Sequence, residues 1–194
     1  MSSVLKRRTN PKRPARQSTY DKDWGFIEGC FSEIFTSMQL ISFTTLYSEP
    51  EDGGFDFSKQ KIQNFNDFMR KHNQEIVDKQ LDSRTIEALF RKSGFDCEKE
   101  ASNFPYRAKV KMYGGKKLKT KHDYNVMLAS VNVAIESYLI LTVYTLRTHY
   151  NFTWEMIRNW WESCINTSKL YSDGLTDQFV MDFIKDEIDI TITK

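Results

Sequence analysis

The sequence is poor in the residues that build disulfide frameworks and metal centres. It has only 3 cysteines and 3 histidines among 194 residues. Cys30, Cys97 and Cys164 are odd in number and far apart, so neither a disulfide framework nor a metal-ligand spacing is indicated. No histidine has a cysteine or carboxylate at ligand spacing either. We therefore predict reduced, mostly buried thiols, no metal and no cofactor.

Other absences narrow the class of protein. The stretch "YGGKKLKT" (residues 113–120) lacks the spacing of a Walker motif, and the chain has no nucleophile elbow and no pair of catalytic carboxylates. The basic start is not followed by the apolar run of a signal peptide. These absences predict a cytoplasmic protein that is not an enzyme and has no small-molecule substrate.

Glycine and proline are also scarce, at 8 and 4 residues, which favours a chain of regular helices. Apolar residues at three- and four-residue intervals predict about six helices around one core. Their N-caps are placed at Thr19, Ser58, Asp82 or Ser83, Asp123, Thr153 and Thr176. The segment "VMLASVNVAIESYLILTVYTL" (residues 126–146) carries one charge, Glu136, and is long enough to span a membrane. Its polar residues and the amphipathic helices around it favour a central core helix instead.

Two segments depart from this helical pattern. "YRAKVKMYGGKKLKTKH" (residues 106–122) alternates apolar and basic residues up to Gly114 and Gly115, which predicts a small basic β-hairpin. "IDITITK" (residues 188–194) predicts a short closing strand. The fold class is then mainly α: a compact helical domain with a small basic hairpin. With the preceding helix and Gly94, the hairpin would form an arrangement similar to a helix-turn-helix followed by a wing.

Charge is distributed unevenly along the chain. The net charge is only +2, but residues 1–20 contribute +6 and residues 102–122 contribute +7, with no acid in either segment. The remaining residues therefore carry −11. Clustered cations near aromatic residues are typical of nucleic-acid binders. The candidate binding residues are Lys6, Arg7, Arg8, Lys12, Arg13, Arg16, Arg107, Lys109, Lys111, Lys116, Lys117 and Lys119.

Two functions remain open at this point. One is binding of nucleic acid or a host nucleoprotein complex through the basic arm and the hairpin. The other is a protein-directed inhibitor or adaptor that makes no direct contact with nucleic acid, with Gly25 and Gly29 available for a homodimer seam. A basic terminus can also be a solvated tail, and lysines on an exposed strand can guard against aggregation. Trp154, Trp160 and Trp161 are interpreted as core residues rather than a stacking platform.

Both ends of the chain suggest a family. The opening "RRTNPKRPARQSTYDKDW" and the later pieces "VYTLRTHYNF", "IRNWWESCINTSKLYSDG" and "FVMDFIKDEIDI" resemble small accessory proteins of phages and prophages of low-GC Gram-positive bacteria. Arg16 stands where that pattern has Thr, and Asp189 where it has Gly. The resemblance implies a regulator of phage genes or an anti-defence protein, for example an anti-CRISPR protein. It divides the chain into a basic flexible arm (1–19) and one helical domain (20–194), in which 49–122 is an insertion.

Overall fold

The computed structural model describes residues 19–113, 120–173 and 177–190, and these residues fold almost entirely into helix. The described part of the chain contains eight α-helices and a short 3₁₀ turn at Pro50–Asp52. The α-helices are α1 (Thr19–Tyr47), α2 (Lys59–Val77), α3 (Ser83–Lys92), α4 (Cys97–Asn103), α5 (Tyr106–Met112), α6 (Lys121–His149), α7 (Trp154–Asp173) and α8 (Asp177–Ile188). The mainly helical class is confirmed, and the predicted count of about six lacked the short helices α4 and α5.

Helix α6 is the centre of the bundle. It packs against α1, α2, α3, α4 and α5, while α1 also packs against α7 and α8. By length and composition α6 could cross a membrane, but 61% of its most apolar window is buried inside the protein. Its buried residues include Ile135, Tyr138 and Leu139. The prediction of a central core helix is confirmed.

Side-chain caps explain where several helices begin. Ser58 Oγ accepts a hydrogen bond from Lys61 N and caps α2, and Asp82, not Ser83, caps α3. At α6 the prediction placed the cap at Asp123, but the N-cap is Thr120, and Asp123 is its partner in a capping box. Thr153 caps α7 as predicted, because its Oγ1 accepts from Met156 N. Thr176, the predicted cap of the last helix, lies outside the described residues.

The chain between α3 and α4 turns sharply. Gly94 has φ +82°, a left-handed conformation that ends a helix and that side-chain-bearing residues rarely adopt. Phe95 follows it, is buried and lies against Trp154. The turn therefore ends α3 as the sequence predicted and brings α4 directly under α6.

The predicted basic hairpin is wrong for the residues that the structure describes. Residues 106–112, expected to form its first strand, are helix α5, which starts after the N-cap Pro105. The buried side chains are Ala108, Lys109 and Met112, a helical spacing. Helical burial against α6 and α7 therefore overrides the period-two alternation. The predicted turn at Gly114 and Gly115 lies outside the described residues. Because residues 106–112 are helical, the wing predicted to follow a helix-turn-helix lacks its first strand.

The other predictions about local structure have mixed outcomes. Trp160 and Trp161 are core residues, as predicted, and Trp154 packs partly buried against that core. Cys97 and Cys164 are free and buried, as predicted. The predicted C-terminal strand is wrong at its start, since Ile188 ends α8 and the next two residues form no strand. Its remaining residues lie outside the described part of the chain.

Candidate nucleic-acid interface

The structure separates the predicted binding residues into different environments. Arg107 is exposed on α5 and Lys111 is half-buried one helical turn further on, whereas Lys109 between them is buried. The other predicted residues lie outside the described part of the chain. They are Lys6, Arg7, Arg8, Lys12, Arg13, Arg16, Lys116, Lys117 and Lys119. One of the three described candidates is thus turned away from solvent.

Lys109 is a structural residue rather than a surface cation, which corrects its place among the predicted contacts. Its side chain is 2% exposed, and its Nζ donates to Ser102 O at 2.8 Å and to Asn132 Oδ1 at 2.7 Å. Ser102 lies in the last turn of α4, where backbone carbonyls need donors and a cation suits the helix dipole. Burial lowers the pKa of the Lys109 ammonium to about 8. Lys109 therefore ties α4, α5 and α6 together.

Two tyrosines lie next to the exposed cations, and neither was among the binding residues predicted from the sequence. Tyr106 is 50% exposed at the start of α5, and Tyr124 is 37% exposed in the first turn of α6. Their ring centroids are 6.1 Å apart, with the planes tilted by 43°. Lys121, also exposed, precedes Tyr124 by one helical turn. We call Tyr106, Arg107, Lys121 and Tyr124 the α5–α6 joint.

A sequence signal for these tyrosines exists in hindsight. Each follows a helix-starting residue, Pro105 for Tyr106 and Thr120 for Tyr124, so each belongs to the first turn of its helix. A residue at such a position is close to the connecting segment and can stay exposed. The alternation that suggested a strand instead placed Tyr106 on the buried face, and this hid the pair.

A different part of α6 lies under a carboxylate-rich surface. Arg91 on α3 makes ion pairs with Glu87 at 2.6 Å, Asp96 at 3.2 Å and Glu98 at 3.5 Å. Burial and the charges of Glu87 and Glu98 raise the pKa of Glu136, the half-buried carboxyl of α6. The first turn of α6 therefore holds Lys121 together with one carboxylate, the capping Asp123, whereas several acids surround its middle.

At the C-terminal end of α6, ionisable side chains from α2 and α6 lie within hydrogen-bond distance of each other. His72 Nδ1 lies 2.8 Å from Glu75 Oε2, and His72 Nε2 lies 2.9 Å from His149 Nε2. Phe68 stacks on the His149 ring, with centroids 3.7 Å apart and planes 4° from parallel. Two ring nitrogens at this distance share one hydrogen, so at most one of the two Nε2 atoms carries it. Burial and the neighbouring His72 lower the pKa of His149.

The structure also has a small polar cleft between the loop after α1 and helix α7. Its volume is about 230 Å³, and the Thr45–Thr167 hydroxyl pair, 3.2 Å apart, lies at its lining together with Asp52 and Ser163. Gly54 is fixed there, because a Cβ at this position would lie 2.0 Å from Ser48 O. Within the described residues, no group of three or more histidine, cysteine, aspartate or glutamate side chains could hold a metal ion.

The comparisons with known proteins find no relative of this chain. No protein-family model, no curated protein and no solved structure matches the chain. The resemblance to phage accessory proteins therefore stays a prediction. The chemistry of the α5–α6 joint has to support any functional proposal by itself.

Proposed function

We propose that the protein binds nucleic acid, alone or within a nucleoprotein complex, and does not catalyse a reaction on it. The α5–α6 joint carries this proposal. Arg107 and Lys121 are exposed there beside two exposed aromatic rings, and basic side chains with interleaved aromatics are what single strands and phosphate backbones bind. The carboxylates around Arg91 lie on α3 and at the start of α4, and Asp123, the carboxylate in the first turn of α6, accepts from Thr120 N in the capping box.

Two segments outside the described residues carry further cations. Residues 114–119 lie between α5 and α6 in the sequence and include Lys116, Lys117 and Lys119. The basic arm at residues 1–18 has six cations. A Pro-containing basic arm can follow a phosphate backbone without being folded beforehand. We propose that arm and joint bind the same polyanion, as in an accessory protein of a phage that acts on nucleic acid or on a nucleoprotein complex of its host.

Fluorescence anisotropy with labelled nucleic acid tests this proposal. Binding should weaken steeply between about 50 and 200 mM salt, because phosphate contacts release counterions. The double variant Arg107→Ser/Lys121→Ser should reduce the slope of log affinity against log salt by about 1 for each phosphate that the protein no longer neutralises. Deletion of residues 1–18 should reduce it further.

The matched control is Lys109→Met, which removes a cation from the same segment but from a buried site. It should leave both the affinity and the salt slope unchanged. The proposal is wrong if no nucleic acid binds at about 50 mM salt, or if a Lys109→Met protein with the wild-type circular dichroism spectrum loses as much affinity as the double variant does.

A second candidate function is a protein-directed inhibitor or adaptor, and one observation favours it. Leu89 on α3 is 56% exposed and Val133 on α6 is 54% exposed, and these two helices pack together. Exposed apolar residues on packed helices can form the centre of a protein contact. In that case Leu89→Ser/Val133→Ser would abolish binding to the partner protein, and the Arg107→Ser/Lys121→Ser variant would retain it.

A further inference from the structure

We propose that the α5–α6 joint selects single-stranded nucleic acid, with unpaired bases stacking on Tyr106 and Tyr124 while Arg107 and Lys121 contact the phosphates. This inference rests on the proposed function and adds the class of nucleic acid. Its first basis is the exposure of two aromatic side chains to solvent. Large apolar and aromatic side chains are usually buried, and six of them are strongly exposed in the described part of the chain. The two aromatic members of that set are neighbours at the joint.

The geometry of the pair decides how a base can bind. Stacked bases follow one another at a rise of about 3.4 Å, so a base held between two rings needs parallel planes at about twice that distance. The rings of Tyr106 and Tyr124 are closer, at 6.1 Å, and tilted by 43°. A base therefore does not enter between them. The two residues are 50% and 37% exposed, so successive bases stack on the exposed part of one ring and then of the other.

The cations are placed for the backbone of the same strand. Lys121 and Tyr124 are three residues apart on α6 and therefore neighbours on its surface. Arg107 follows Tyr106 directly on α5, in its first turn. Lys121 is therefore placed beside Tyr124, and Arg107 adds a second exposed cation in the same turn of α5 as Tyr106, so that a strand stacked on the rings meets positive charge at the joint. Lys109 cannot contact a phosphate of this strand, because its ammonium is buried and donates hydrogen bonds within the protein.

The rings distinguish single strands from duplexes. In a duplex the base faces are covered by their neighbours, and a protein reaches only base edges and phosphates. In a single strand the base faces are accessible, and stacking on an aromatic side chain adds to the phosphate contacts. The cations alone would bind both forms through their phosphates. The tyrosine pair therefore adds affinity for the single strand only.

The test compares the full-length protein with ring variants on four probes. The probes are a labelled single-stranded DNA, the RNA of the same sequence, the matching DNA duplex, and inorganic polyphosphate. The variants are Tyr106→Leu/Tyr124→Leu, which removes both rings, and Tyr106→Phe/Tyr124→Phe, which keeps them. Thermal melting followed by circular dichroism checks that both variants fold.

We expect the wild type to bind at least one of the two single strands more tightly than the duplex. The Leu variant should lose about tenfold or more of that affinity and keep its duplex affinity and salt slope, and the Phe variant should bind like the wild type. Equal loss on duplex and single strand, or no loss at all, would overturn the inference while leaving the proposed function intact. Salt-dependent binding of polyphosphate that equals single-strand binding would overturn it as well. Absence of binding to every probe would instead overturn the proposed function itself.

Discussion

Aromatic and basic side chains from α6 and its neighbouring helices lie together at both ends of α6, but they have different roles there. At its C-terminal end, aromatic and basic side chains pair with each other: Phe68 stacks on His149, His149 meets His72, and the Arg147 guanidinium lies 4.6 Å from the Trp154 ring centroid. At its N-terminal end, the rings of Tyr106 and Tyr124 lie with their centroids 6.1 Å apart, and the two residues stay 50% and 37% exposed. Paired groups hold the fold together, whereas groups presented to solvent are available to a ligand.

The environment of a side chain, and not its residue type, therefore distinguishes structural residues from candidate binding residues. The chain has 28 lysines and arginines, and nothing in their identity says which of them meet solvent. Lys109 and Arg107 are two residues apart, but one is 2% exposed and the other is exposed. Substitutions at paired groups should change the stability of the fold, and substitutions at presented groups should change binding.

The largest expected effect on stability is at Lys109. Lys109→Ala removes a buried side chain, leaves a cavity and should cost about 2–4 kcal/mol of the free energy of unfolding. Lys109→Met fills most of the same volume but leaves Ser102 O and Asn132 Oδ1 without their donor, so it should cost about 1–3 kcal/mol and less than Lys109→Ala. Urea unfolding followed by tryptophan fluorescence measures both. Equal and small effects of the two variants would show that the Lys109 site is not packed as described.

A smaller effect is expected at the histidine pair and depends on pH. The pKa of His149 is lowered in the folded protein from its ordinary 6.5, so the unfolded chain binds the proton more readily. Stability is therefore fully present above about pH 6.5 and falls as the pH drops through that value towards the folded pKa. His72, Lys71 and Glu75 are the charged or titratable groups that act on His149. Because the site is partly exposed, the loss should stay below about 1 kcal/mol.

His149→Phe tests the origin of that pH dependence. The variant keeps a ring against Phe68 but cannot titrate, so its unfolding midpoint in urea should vary less between about pH 7.5 and 5.5 than that of the wild type. A pH dependence that persists unchanged in His149→Phe would assign it to another group.

The smallest effect on stability is expected at the presented cations. Arg107→Ser/Lys121→Ser changes exposed side chains, so the free energy of unfolding should change by less than about 0.5 kcal/mol. The same variant should show the largest loss of nucleic-acid binding among the charge variants described above. Differential scanning calorimetry alongside anisotropy gives both values. A strong destabilisation would mean that these cations belong to the packed part of the molecule, as Lys109 does.

Much of the fold could be predicted from the sequence because helical periodicity and caps are local signals. The apolar positions Ile62, Phe65 and Met69 of α2 and the turn at Gly94 followed by buried Phe95 are read from a few neighbouring residues. The cap at Ser58 is equally local. These predictions are confirmed by the structure.

The remainder depends on distant partners. Residues 106–112 alternate like a strand, and only the faces of α6 and α7 that they cover make them a helix. Lys109 is buried because Asn132, 23 residues away, supplies an acceptor. The His72–His149 pair spans 77 residues. No local pattern predicts such contacts. Of the four residues of the α5–α6 joint only Arg107 was among the predicted binding residues, because the Tyr106–Tyr124 pair forms only once α5 and α6 are in place.

Photo-cross-linking shows directly whether unpaired bases stack at the α5–α6 joint. The full-length protein is linked to a single-stranded oligonucleotide that contains 4-thiothymidine, and the linked residues are identified by mass spectrometry. We expect adducts on Tyr106 or Tyr124, which disappear in the double Leu variant. Adducts confined to other surfaces, for example to the carboxylate-rich face of α3 and α4 or to the basic arm alone, would contradict this expectation.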